Sequence, residues 1–335
     1  MSVVRDVLIL GSGAAGYTAA IYAARAERKP LLIAGPQPGG QLTITSDVEN
    51  YPGFREAILG PDLMERMRDQ AMRFGAEMVW QSVERVDFSR RPFTVWADGK
   101  EYLGRTVIVA TGASAKLIGL PNEQALLGLG VSACATCDGF FFRDQRVIVV
   151  GGGDTAMEEA TYLTRYCSEV IVVHRRDSLR ASKIMQERAL ANSKIRFIWD
   201  SEVIDILDPA QRKVTAARLR NLKTGAVTDM PIDGVFVAIG HQPNTEFLQG
   251  ALPMDPRGYL LAKPGSTRTE IPGVFAAGDV VDAVYRQAVT AAGMGCMAAI
   301  DAEHFLVHEA HASATRATTE APAAATAAAT TPRGA

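Results

Sequence analysis

Short apolar runs that end in glycine recur along this chain of 335 residues. Residues 3–10 form the first run, and they continue into GSGAAG at residues 11–16 and an Ala-rich stretch that ends at Arg28. A short apolar run bounded by glycine predicts a buried strand, and the Ala-rich stretch predicts a helix. Residues 30–34 are again apolar. The pattern predicts strand, glycine turn, helix and strand, which is a right-handed parallel βαβ unit.

The same pattern returns 140 positions later, counted from Gly11 to Gly151. Residues 146–150 are apolar, GGGDTA follows at residues 151–156, a helical stretch runs to about Tyr166, and residues 169–173 are apolar. In such turns the glycines let backbone approach a pyrophosphate, and the helix N-terminus offers free N–H groups. Two copies in this context predict an α/β protein with two Rossmann-like dinucleotide-binding domains. The candidate phosphate contacts are Gly11, Gly13, Gly16, Gly151 and Gly153.

Three further apolar runs end in small residues, at the carboxyl ends of predicted strands where open α/β sheets bind ligands. They are residues 106–110 before Thr111 and Gly112, residues 235–239 before Gly240, and residues 273–277 before Gly278 and Asp279. Asp98 and Gly99 separate strand-like residues 92–96 from residues 100–103, which predicts a hairpin.

Composition and charge exclude several classes of protein. The chain is 47% hydrophobic and 21% charged, which is ordinary for a globular protein, and its net charge of −2 argues against nucleic-acid binding. No run reaches the roughly 20 apolar residues of a membrane span, and the first ten residues lack the features of a signal peptide. We therefore expect a cytoplasmic protein with neither a membrane nor a nucleic-acid partner. The length predicts about two domains, at roughly 150 residues each.

The last 25 residues differ in composition from the rest. Residues 311–335 contain 11 Ala and 6 Thr, and no Leu, Ile, Val, Met, Phe, Trp or Tyr. Such a segment buries too little apolar surface to offset the entropy of ordering it. The sequence therefore predicts a disordered tail over residues 311–335.

The residues after each second strand indicate which nucleotide binds where. The second unit ends in His174, Arg175 and Arg176, with Arg180 four positions further on. Guanidinium groups at this place suit a 2′-phosphate, which predicts NADP(H) rather than NAD(H), although a solvated basic patch is the alternative. The first unit ends in LLIAG with no acidic residue, and a Gly/Pro-rich stretch at residues 35–42, which includes Gly40, follows it. This stretch could wrap an adenosine, so we expect a different dinucleotide there.

Four cysteines remain to be explained. Cys134 and Cys137 form a CxxC motif followed by Asp138. This spacing permits a disulfide and lowers one thiol pKa, and the adjacent carboxyl group could move a proton to or from a thiolate. A zinc site is the alternative, but it usually needs a second pair of ligands, and His304 and His308 lie more than 160 residues away on a predicted surface helix. We therefore expect no metal, and we expect Cys167 and Cys296 to be small buried residues.

From about Val4 to Leu306 the chain resembles the low-molecular-weight thioredoxin reductases of bacteria. The segments that carry the resemblance are GSGAAGYTAA, GGQLTITSDVENYPG, ATGASA, CATCDG, GGGDTAMEEA, HRRDSLRAS, VFVAIGHQPNT and VFAAGDVVDAVYRQAVTAAG. The order CxxC, GGGDTA, HRRxxxR distinguishes this branch from large disulfide reductases, whose CxxxxC lies near the first glycine motif. The resemblance implies a homodimer.

The resemblance also implies FAD in the first nucleotide site. The matching positions are Ser12, Gly13, Gln41, Asn50, Asp279, Arg286, Gln287 and Ala288. A carboxylate at a strand end, such as that of Asp279, suits the ribityl chain. A helix predicted to begin near Arg286 would direct its N-terminus at the isoalloxazine and favour an anionic reduced flavin. Without the resemblance, residues 286–288 would be an ordinary first helical turn.

For the second site the resemblance implies NADPH, bound by residues 151–155, which include Asp154 and Thr155, and by Arg175, Arg176 and Arg180. Relatives can carry Asn where Asp154 stands. Either residue would cap the helix, but a carboxylate near a pyrophosphate is mildly unfavourable. In the family Cys137 faces the flavin, Cys134 attacks the disulfide of thioredoxin, and Asp138 donates a proton.

The resemblance places the FAD domain at residues 1–114 and 245–310, with an NADPH domain inserted at residues 115–244. Residues 114–119 and 241–247 would be the two crossings, and paired crossings can act as a hinge. Rotation about them would let the nicotinamide and the CxxC pair alternate at the flavin.

The function expected from the sequence is therefore thioredoxin-disulfide reduction: hydride passes from NADPH to FAD, electrons pass to Cys134–Cys137, and the pair exchanges with thioredoxin. Two alternatives stay open. One is a related NADPH–flavin reductase of another disulfide protein or electron carrier. The other is a non-catalytic nucleotide-binding redox sensor.

Overall fold

The computed structural model describes residues 3–319. The strands in this part of the chain are β1 (Val4–Leu10), β2 (Leu31–Ile33), β3 (Asp47–Val48), β4 (Ile58–Leu59), β5 (Glu77–Val79), β6 (Val83–Asp87), β7 (Phe93–Ala97), β8 (Lys100–Val109), β9 (Ala113–Ala115), β10 (Val131–Ser132), β11 (Arg146–Val150), β12 (Glu169–Val173), β13 (Ile195–Ile198), β14 (Ser201–Ile206), β15 (Ala216–Asn221), β16 (Val227–Pro231), β17 (Gly234–Val237), β18 (His241–Pro243) and β19 (Val274–Ala276). The α-helices are α1 (Ala14–Arg25), α2 (Gly60–Arg73), α3 (Pro121–Ala125), α4 (Ala135–Asp138), α5 (Asp154–Leu163), α6 (Lys183–Leu190) and α7 (Ala288–Thr319). Short 3₁₀ turns lie at Gly40–Ile44, Gly139–Phe142, Pro209–Gln211 and Glu246–Leu248.

The first sheet has seven strands in the order β5-β2-β1-β8-β7-β6, with β19 also paired to β8. The strands β5, β2, β1, β8 and β19 are parallel, and β7 and β6 add an antiparallel edge. The strand β1 lies in the middle of the parallel part because residues 7–10 are all apolar and buried on both faces. This sheet confirms the first predicted βαβ unit.

The hairpin predicted at Asp98 and Gly99 is present between β7 and β8, where Ala97 lies opposite Lys100. The two strands predicted at residues 100–103 and 106–110 are a single strand. The reason is that β8 stays in parallel register with β1 from Leu103 to Val109, so no break occurs between the two segments.

The second sheet is entirely parallel, in the order β10-β17-β11-β12-β13. Its strands all lie between β8 and β19 of the first sheet in the sequence. A three-stranded antiparallel sheet, β14-β15-β16, packs beside it through a shared apolar cluster that includes Val203 and Ile148. The predicted fold class is confirmed: two Rossmann-like units, the second inserted into the sequence of the first.

The two chain crossings between the sheets pair with each other. Strand β9 runs antiparallel to β18, with Ala115 opposite His241 and Ala113 opposite Pro243. Asn244 extends this ribbon, because its side-chain amide donates to the carbonyl of Thr111 (2.9 Å) and its Oδ1 accepts from the Ser114 hydroxyl (3.0 Å). The connection between the two units is therefore a narrow two-stranded ribbon.

The end of α7 corrects the prediction for the tail. The helix continues through Thr319, so residues 311–319 are helical and not disordered as composition suggested. Alanine has the highest intrinsic helix propensity, and a helix that is already formed extends without a new nucleation cost. The rest of the predicted tail, residues 320–335, lies outside the described residues.

Candidate functional site

The first glycine turn joins β1 to α1 in a shape that only small residues permit. Gly11 has φ 106°, and a Cβ atom at Gly16 would lie 2.0 Å from the Gly11 carbonyl oxygen. Around a Cβ placed on Gly13, by contrast, no atom lies within 4 Å. Gly13 is also the N-cap of α1 and provides no capping side chain. The first-turn N–H groups therefore face open space, as a phosphate site requires.

The segment after β2 closes over this turn. The Ser12 hydroxyl donates to the Ala34 carbonyl (2.8 Å) and accepts from the Gly39 N–H (3.0 Å). A Cβ atom on Gly40 would lie 3.2 Å from the Gly13 Cα atom, so the two glycines pack directly together. Residues in the segment 35–42 thus lie against the first glycine turn, and Gln41 lies in the 3₁₀ turn that starts at Gly40.

Asp279 follows the carboxyl end of β19 and carries a buried oxygen, Oδ1, that has no hydrogen-bond partner. Burial raises the pKa of Asp279 to about 7; Asp282 raises it further, and Arg286 opposes the shift. A buried carboxyl oxygen without a partner is costly unless a ligand group meets it. Hydroxyl groups of a sugar or ribityl chain are suitable partners, so the residues present fit the predicted dinucleotide.

The helix predicted to start near Arg286 starts at Ala288. Arg286 itself has φ 46°, and the Asp282 carboxylate accepts from the N–H groups of Val284, Tyr285 and Arg286. This cap holds residues 284–286 outside the helix, which is why α7 begins two residues later than expected. The amide of Gln287 accepts a hydrogen bond from the Asn50 amide (3.3 Å), and so two predicted flavin-site residues lie together.

The second glycine turn repeats this geometry between β11 and α5. Gly151 has φ 153°, Gly153 is the N-cap of α5 without a capping side chain, and a Cβ atom on Gly153 would meet nothing within 4 Å. Thr155 lies in the first turn. The expectation that Asp154 caps the helix is wrong, because its carboxylate accepts from the Ser182 N–H (2.8 Å) across the turn. This bond lowers the Asp154 pKa and fixes the carboxylate on a neighbouring loop.

The three arginines after β12 lie at the surface. Arg175, Arg176 and Arg180 are exposed. The acids nearby, Asp177 and Asp200, pair with Lys223 at 3.7 and 2.8 Å. The neighbouring His174 is buried, and its Nε2 atom lies 3.1 Å from the Ser178 carbonyl oxygen. The histidine is thus structural, and three guanidinium groups remain at the predicted 2′-phosphate position.

Cys134 and Cys137 form a disulfide with a Cα–Cα distance of 5.3 Å. Cys134 is the N-cap of the short helix α4, and its Sγ atom accepts from the Cys137 N–H (3.2 Å). The Cys134 N–H in turn donates to the Ser132 hydroxyl (3.0 Å). Backbone N–H groups beside a sulfur favour its thiolate form, so the segment is arranged for redox chemistry.

Asp138 ends α4 beside the disulfide. Burial raises its pKa above the usual value, while the Ser132 hydroxyl acts in the opposite direction. The carboxyl group therefore keeps a proton at a higher pH than a free aspartic acid would. This is the property that a proton donor to a departing thiolate needs.

The disulfide lies against the first nucleotide site. The Gln287 amide nitrogen is 4.0 Å from the Cys137 Sγ atom, and the same side chain bonds Asn50. The structure thus brings together Cys137 from the second unit and two predicted flavin-site residues from the first. Of the two sulfurs, the one predicted to face the flavin is the one in this contact.

Two buried titratable residues escaped the sequence analysis. His241, at the start of β18, has a buried Nδ1 atom without a partner, and burial lowers its pKa to about 4. Glu159 carries a buried Oε2 atom without a partner, and burial raises its pKa to about 8. Glu159 could have been found, because it lies three residues after Ala156 and four before Leu163, which are both buried on α5. His241 gave no periodic signal.

The other cysteines and the histidine pair behave mostly as expected. Cys167 is fully buried, whereas Cys296 is only half-buried on α7. His304 and His308 are exposed on α7. Among residues 3–319, no group of three or more His, Cys, Asp or Glu side chains could hold a metal ion. No helix in that range combines the length and apolar character of a membrane span.

A family model described as pyridine nucleotide-disulphide oxidoreductase matches residues 5–295. This match covers both glycine turns, the arginine cluster and the CxxC helix, and it defines the class of protein.

Relatives with assigned functions show which members of this family the chain resembles. The chain is 57% identical to a thioredoxin reductase of Streptomyces coelicolor over 91% of this chain and 95% of the relative. It is 56% identical to a thioredoxin reductase of Rickettsia conorii over 91% of this chain and 99% of the relative. The chain therefore belongs to the thioredoxin reductases of the pyridine nucleotide-disulphide oxidoreductase family. It is an NADPH-dependent disulfide oxidoreductase, and Cys134–Cys137 fits its redox-active disulfide.

Solved structures agree with this membership. A thioredoxin reductase from Streptococcus pyogenes has a TM-score of 0.87 at 43% identity and covers 92% of this chain and 100% of its own. One from Lactococcus lactis, described as the FR conformation, has a TM-score of 0.60 at 42% identity, with 91% and 99% covered. The two identities are nearly equal, so sequence divergence does not account for the lower score.

Proposed function

We propose that this protein binds FAD at the first glycine turn and NADPH at the second, and that it reduces the disulfide of thioredoxin. The observation that carries the proposal is the 4.0 Å contact between Cys137 and Gln287, which joins the redox helix to the flavin-side residues. When bound, FAD supplies the two-electron carrier between the nicotinamide and the disulfide.

The residues that would hold each cofactor are those already described. For FAD they are Gly11, Ser12, Gly13, Gly16, Gly40, Gln41, Asn50, Gly112, Asp279, Arg286, Gln287 and Ala288. For NADPH they are Gly151, Gly153, Asp154, Thr155, Arg175, Arg176 and Arg180. In each site a helix N-terminus takes the pyrophosphate, and the arginines take the 2′-phosphate.

The thiol steps use three residues of this chain. Two-electron reduction of the Cys134–Cys137 bond would leave one thiolate and one thiol, and Asp138 would provide the proton of the thiol. A thiolate of the pair then attacks the disulfide of the partner, and a mixed disulfide forms as one partner sulfur leaves. The second thiolate of the pair breaks this bond. Cys134–Cys137 reforms and the partner departs with two thiols.

The ribbon of β9 and β18 would be the hinge for alternation. The second glycine turn and the disulfide both belong to the unit inserted between these strands. The observed arrangement brings the disulfide to Gln287, and we propose that rotation brings the nicotinamide to the flavin in its place. Rotation about two short, paired crossings moves the unit without breaking either sheet. The domain limits we propose are residues 1–114 and 245–310 for FAD and 115–244 for NADPH.

An exposed aromatic surface beside the redox helix is where we propose that thioredoxin docks. Phe140 and Phe141 directly follow Cys137, Asp138 and Gly139, and they are 50% and 37% exposed. Arg143 lies over the Phe140 ring (5.3 Å) and the Tyr166 ring (5.9 Å). Exposed aromatic and arginine side chains are typical of protein-binding surfaces.

The resemblance to bacterial thioredoxin reductases leads us to propose a homodimer, and the exposed apolar residues place it at α7 and α1. On one face of α7, which packs against α1, the apolar residues Val289, Met297, Ile300 and Val307 are 37–42% exposed, and Tyr22 on α1 is 42% exposed. Ile300→Glu is expected to give monomers in sedimentation analysis. Leu190→Glu, on exposed α6, is the matched control and should leave the assembly unchanged. A dimeric Ile300→Glu protein would exclude this surface.

The central experiment is NADPH-dependent reduction of a disulfide dye, with and without added thioredoxin. Activity that needs thioredoxin is expected. Equal activity in its absence would mean that another acceptor is used, and a purified protein without flavin absorbance would overturn the proposal.

A further inference from the structure

The arginine loop, which we define as residues 174–182 between β12 and α6, is neither helix nor strand. It carries the three arginines at the predicted 2′-phosphate position. Arginine side chains lose much rotamer freedom when they bind, so a loop that is already held in one place binds a phosphate more tightly than a loose one. The contacts that hold the arginine loop therefore bear on the choice between nucleotides.

The far end of the arginine loop is bonded to the second glycine turn. The Gly152 carbonyl accepts from the N–H groups of Arg180 (2.7 Å) and Ala181 (3.2 Å). The Asp154 carboxylate accepts from the N–H group of Ser182 (2.8 Å), the N-cap of α6. Three consecutive residues of the loop are thus attached to the turn that would take the pyrophosphate.

The near end of the arginine loop packs against the same turn. A Cβ atom on Gly152 would lie 2.3 Å from the Cε1 atom of His174, so the imidazole ring lies directly against this glycine. The Nε2 atom of the ring lies 3.1 Å from the Ser178 carbonyl oxygen. The loop and the turn are therefore packed together, and their contacts set the distance between the two anion positions.

We propose that Asp154 is a positioning residue for nucleotide selection: through Ser182 its carboxylate holds the arginine loop where one ligand can reach both the glycine turn and the arginines. Of the three bonds at the far end of the loop, only this one uses a side chain, because the other two use the Gly152 carbonyl. Asp154 thus acts through the loop and not by contact with the nucleotide. The inference rests on the proposed function, which places NADPH at this turn.

The charge of Asp154 would by itself have the opposite effect. The side chain is exposed, and its bond to the Ser182 N–H lowers its pKa, so it is ionised at neutral pH. Repulsion between this carboxylate and a nucleotide phosphate weakens the binding of every nucleotide at the turn. Positioning of the arginine loop strengthens the binding only of nucleotides that carry a 2′-phosphate. Removal of the carboxylate therefore distinguishes the two effects by their sign.

Equilibrium binding of two nucleotide fragments tests the proposal without turnover. Titration calorimetry on the oxidised flavoprotein gives the Kd for 2′,5′-ADP, which carries the 2′-phosphate, and competition gives the Kd for 5′-AMP, which lacks it. D154A removes the acceptor, whereas D154N keeps an acceptor oxygen without the charge. S182P removes the N–H donor at a residue whose φ of −59° suits proline. E187A, which removes an exposed charge on α6, is the matched control.

Each variant has an expected result. D154A and S182P should each raise the Kd for 2′,5′-ADP about three- to ten-fold, the effect of one lost hydrogen bond, and should leave the Kd for 5′-AMP equal or lower. D154N should bring the Kd for 2′,5′-ADP back to within about two-fold of the wild type, because it restores the acceptor. D154A/S182P should bind no more weakly than D154A, since both changes remove the same bond. E187A should match the wild type for both fragments.

The outcomes separate positioning from the other roles of Asp154. Tighter binding of both fragments by D154A and D154N would mean that Asp154 acts only by its charge, and it would overturn the proposal. Equal weakening for the two fragments would mean that Asp154 supports the turn as a whole, which would overturn it too. If the wild type prefers 2′,5′-ADP and D154A keeps that preference in full, only the positioning role fails. A wild type without the preference would overturn the proposed NADPH site and this inference together.

Discussion

Burial gives Asp138 a property that its position in the sequence only suggests. The carboxyl group is enclosed beside the disulfide, and its pKa is raised for that reason. The acid form therefore persists at a pH where a free aspartic acid has lost its proton, and it is lost as pH rises through the raised value. The adjacent Ser132 hydroxyl moderates the shift, which keeps the group able to give its proton away.

Replacement of Asp138 should separate the two half-reactions. Asp138→Asn keeps the shape but has no acidic proton, so NADPH should still reduce the flavin while thioredoxin turnover falls about 100-fold. Stopped-flow flavin absorbance and steady-state turnover measure the two steps. Turnover in the wild type should also fall on the alkaline side, and Asp138→Asn should lack that fall. Unchanged turnover in Asp138→Asn would exclude Asp138 as the donor.

The cysteine pair has its own prediction. Cys134→Ser and Cys137→Ser should each lower thioredoxin turnover at least about 1000-fold, because neither can reform the disulfide. Reduction of the flavin by NADPH should persist in both. Cys296→Ser is the control, since this half-buried thiol lies on α7 outside the pair. Turnover near the native rate in either variant of the pair would contradict the assignment.

The arginine cluster decides between two pyridine nucleotides. Arg175→Ala with Arg176→Ala removes two exposed guanidinium groups, and the KM for NADPH should rise about 10- to 100-fold. The KM for NADH should hardly change, because NADH lacks the 2′-phosphate. Arg188→Ala, on α6, is the control. An equal loss for both nucleotides would indicate a structural role for the pair.

At the scale of elements, the sequence predicted correctly the strands and turns that depend on local pattern. It predicted wrongly the limits of elements that depend on packing or on capping. Strands β1, β2, β11 and β12 follow from apolar runs, and both glycine turns follow from their spacing. The merging of two predicted strands into β8 depends on its register with β1. The start of α7 depends on the Asp282 cap, and its end depends on alanine propensity.

The ribbon of β9 and β18 is the element that the hinge proposal needs, and Asn244 fastens it. Asn244→Ala removes two side-chain hydrogen bonds, to Thr111 and Ser114, so stability should fall by about 1 kcal/mol. Thermal unfolding of the wild type and the variant measures the loss of stability. The rate of thioredoxin turnover should change together with the stability. Gln242→Ala alters an exposed residue of the same strand and should leave both unchanged. An unaltered Asn244→Ala protein would mean that backbone pairing alone holds the ribbon.

At the scale of the whole molecule, the proposed hinge implies that one arrangement cannot serve both half-reactions. The observed one places Cys137 at Gln287, while the second glycine turn and the arginines belong to the same inserted unit. Two solved relatives with 43% and 42% identity have TM-scores of 0.87 and 0.60 against this chain, so chains of equal similarity can differ in arrangement. A lock on the observed arrangement should therefore block the step that needs the other one.

The double variant C134S/Q287C provides this lock once diamide has oxidised Cys137 and the new thiol at position 287 to a disulfide, because the Gln287 side chain lies beside Cys137 in the observed arrangement. With Cys137 joined to position 287, the nicotinamide site cannot reach the flavin, so NADPH should reduce the flavin at least about 100-fold more slowly. Dithiothreitol should restore the rate, because it opens the cross-link and changes nothing else. The same variant kept reduced throughout is the control. Rapid flavin reduction in the locked protein would show that the hydride passes without rotation. The nicotinamide site and the cysteine pair would then have to share the flavin in a single arrangement.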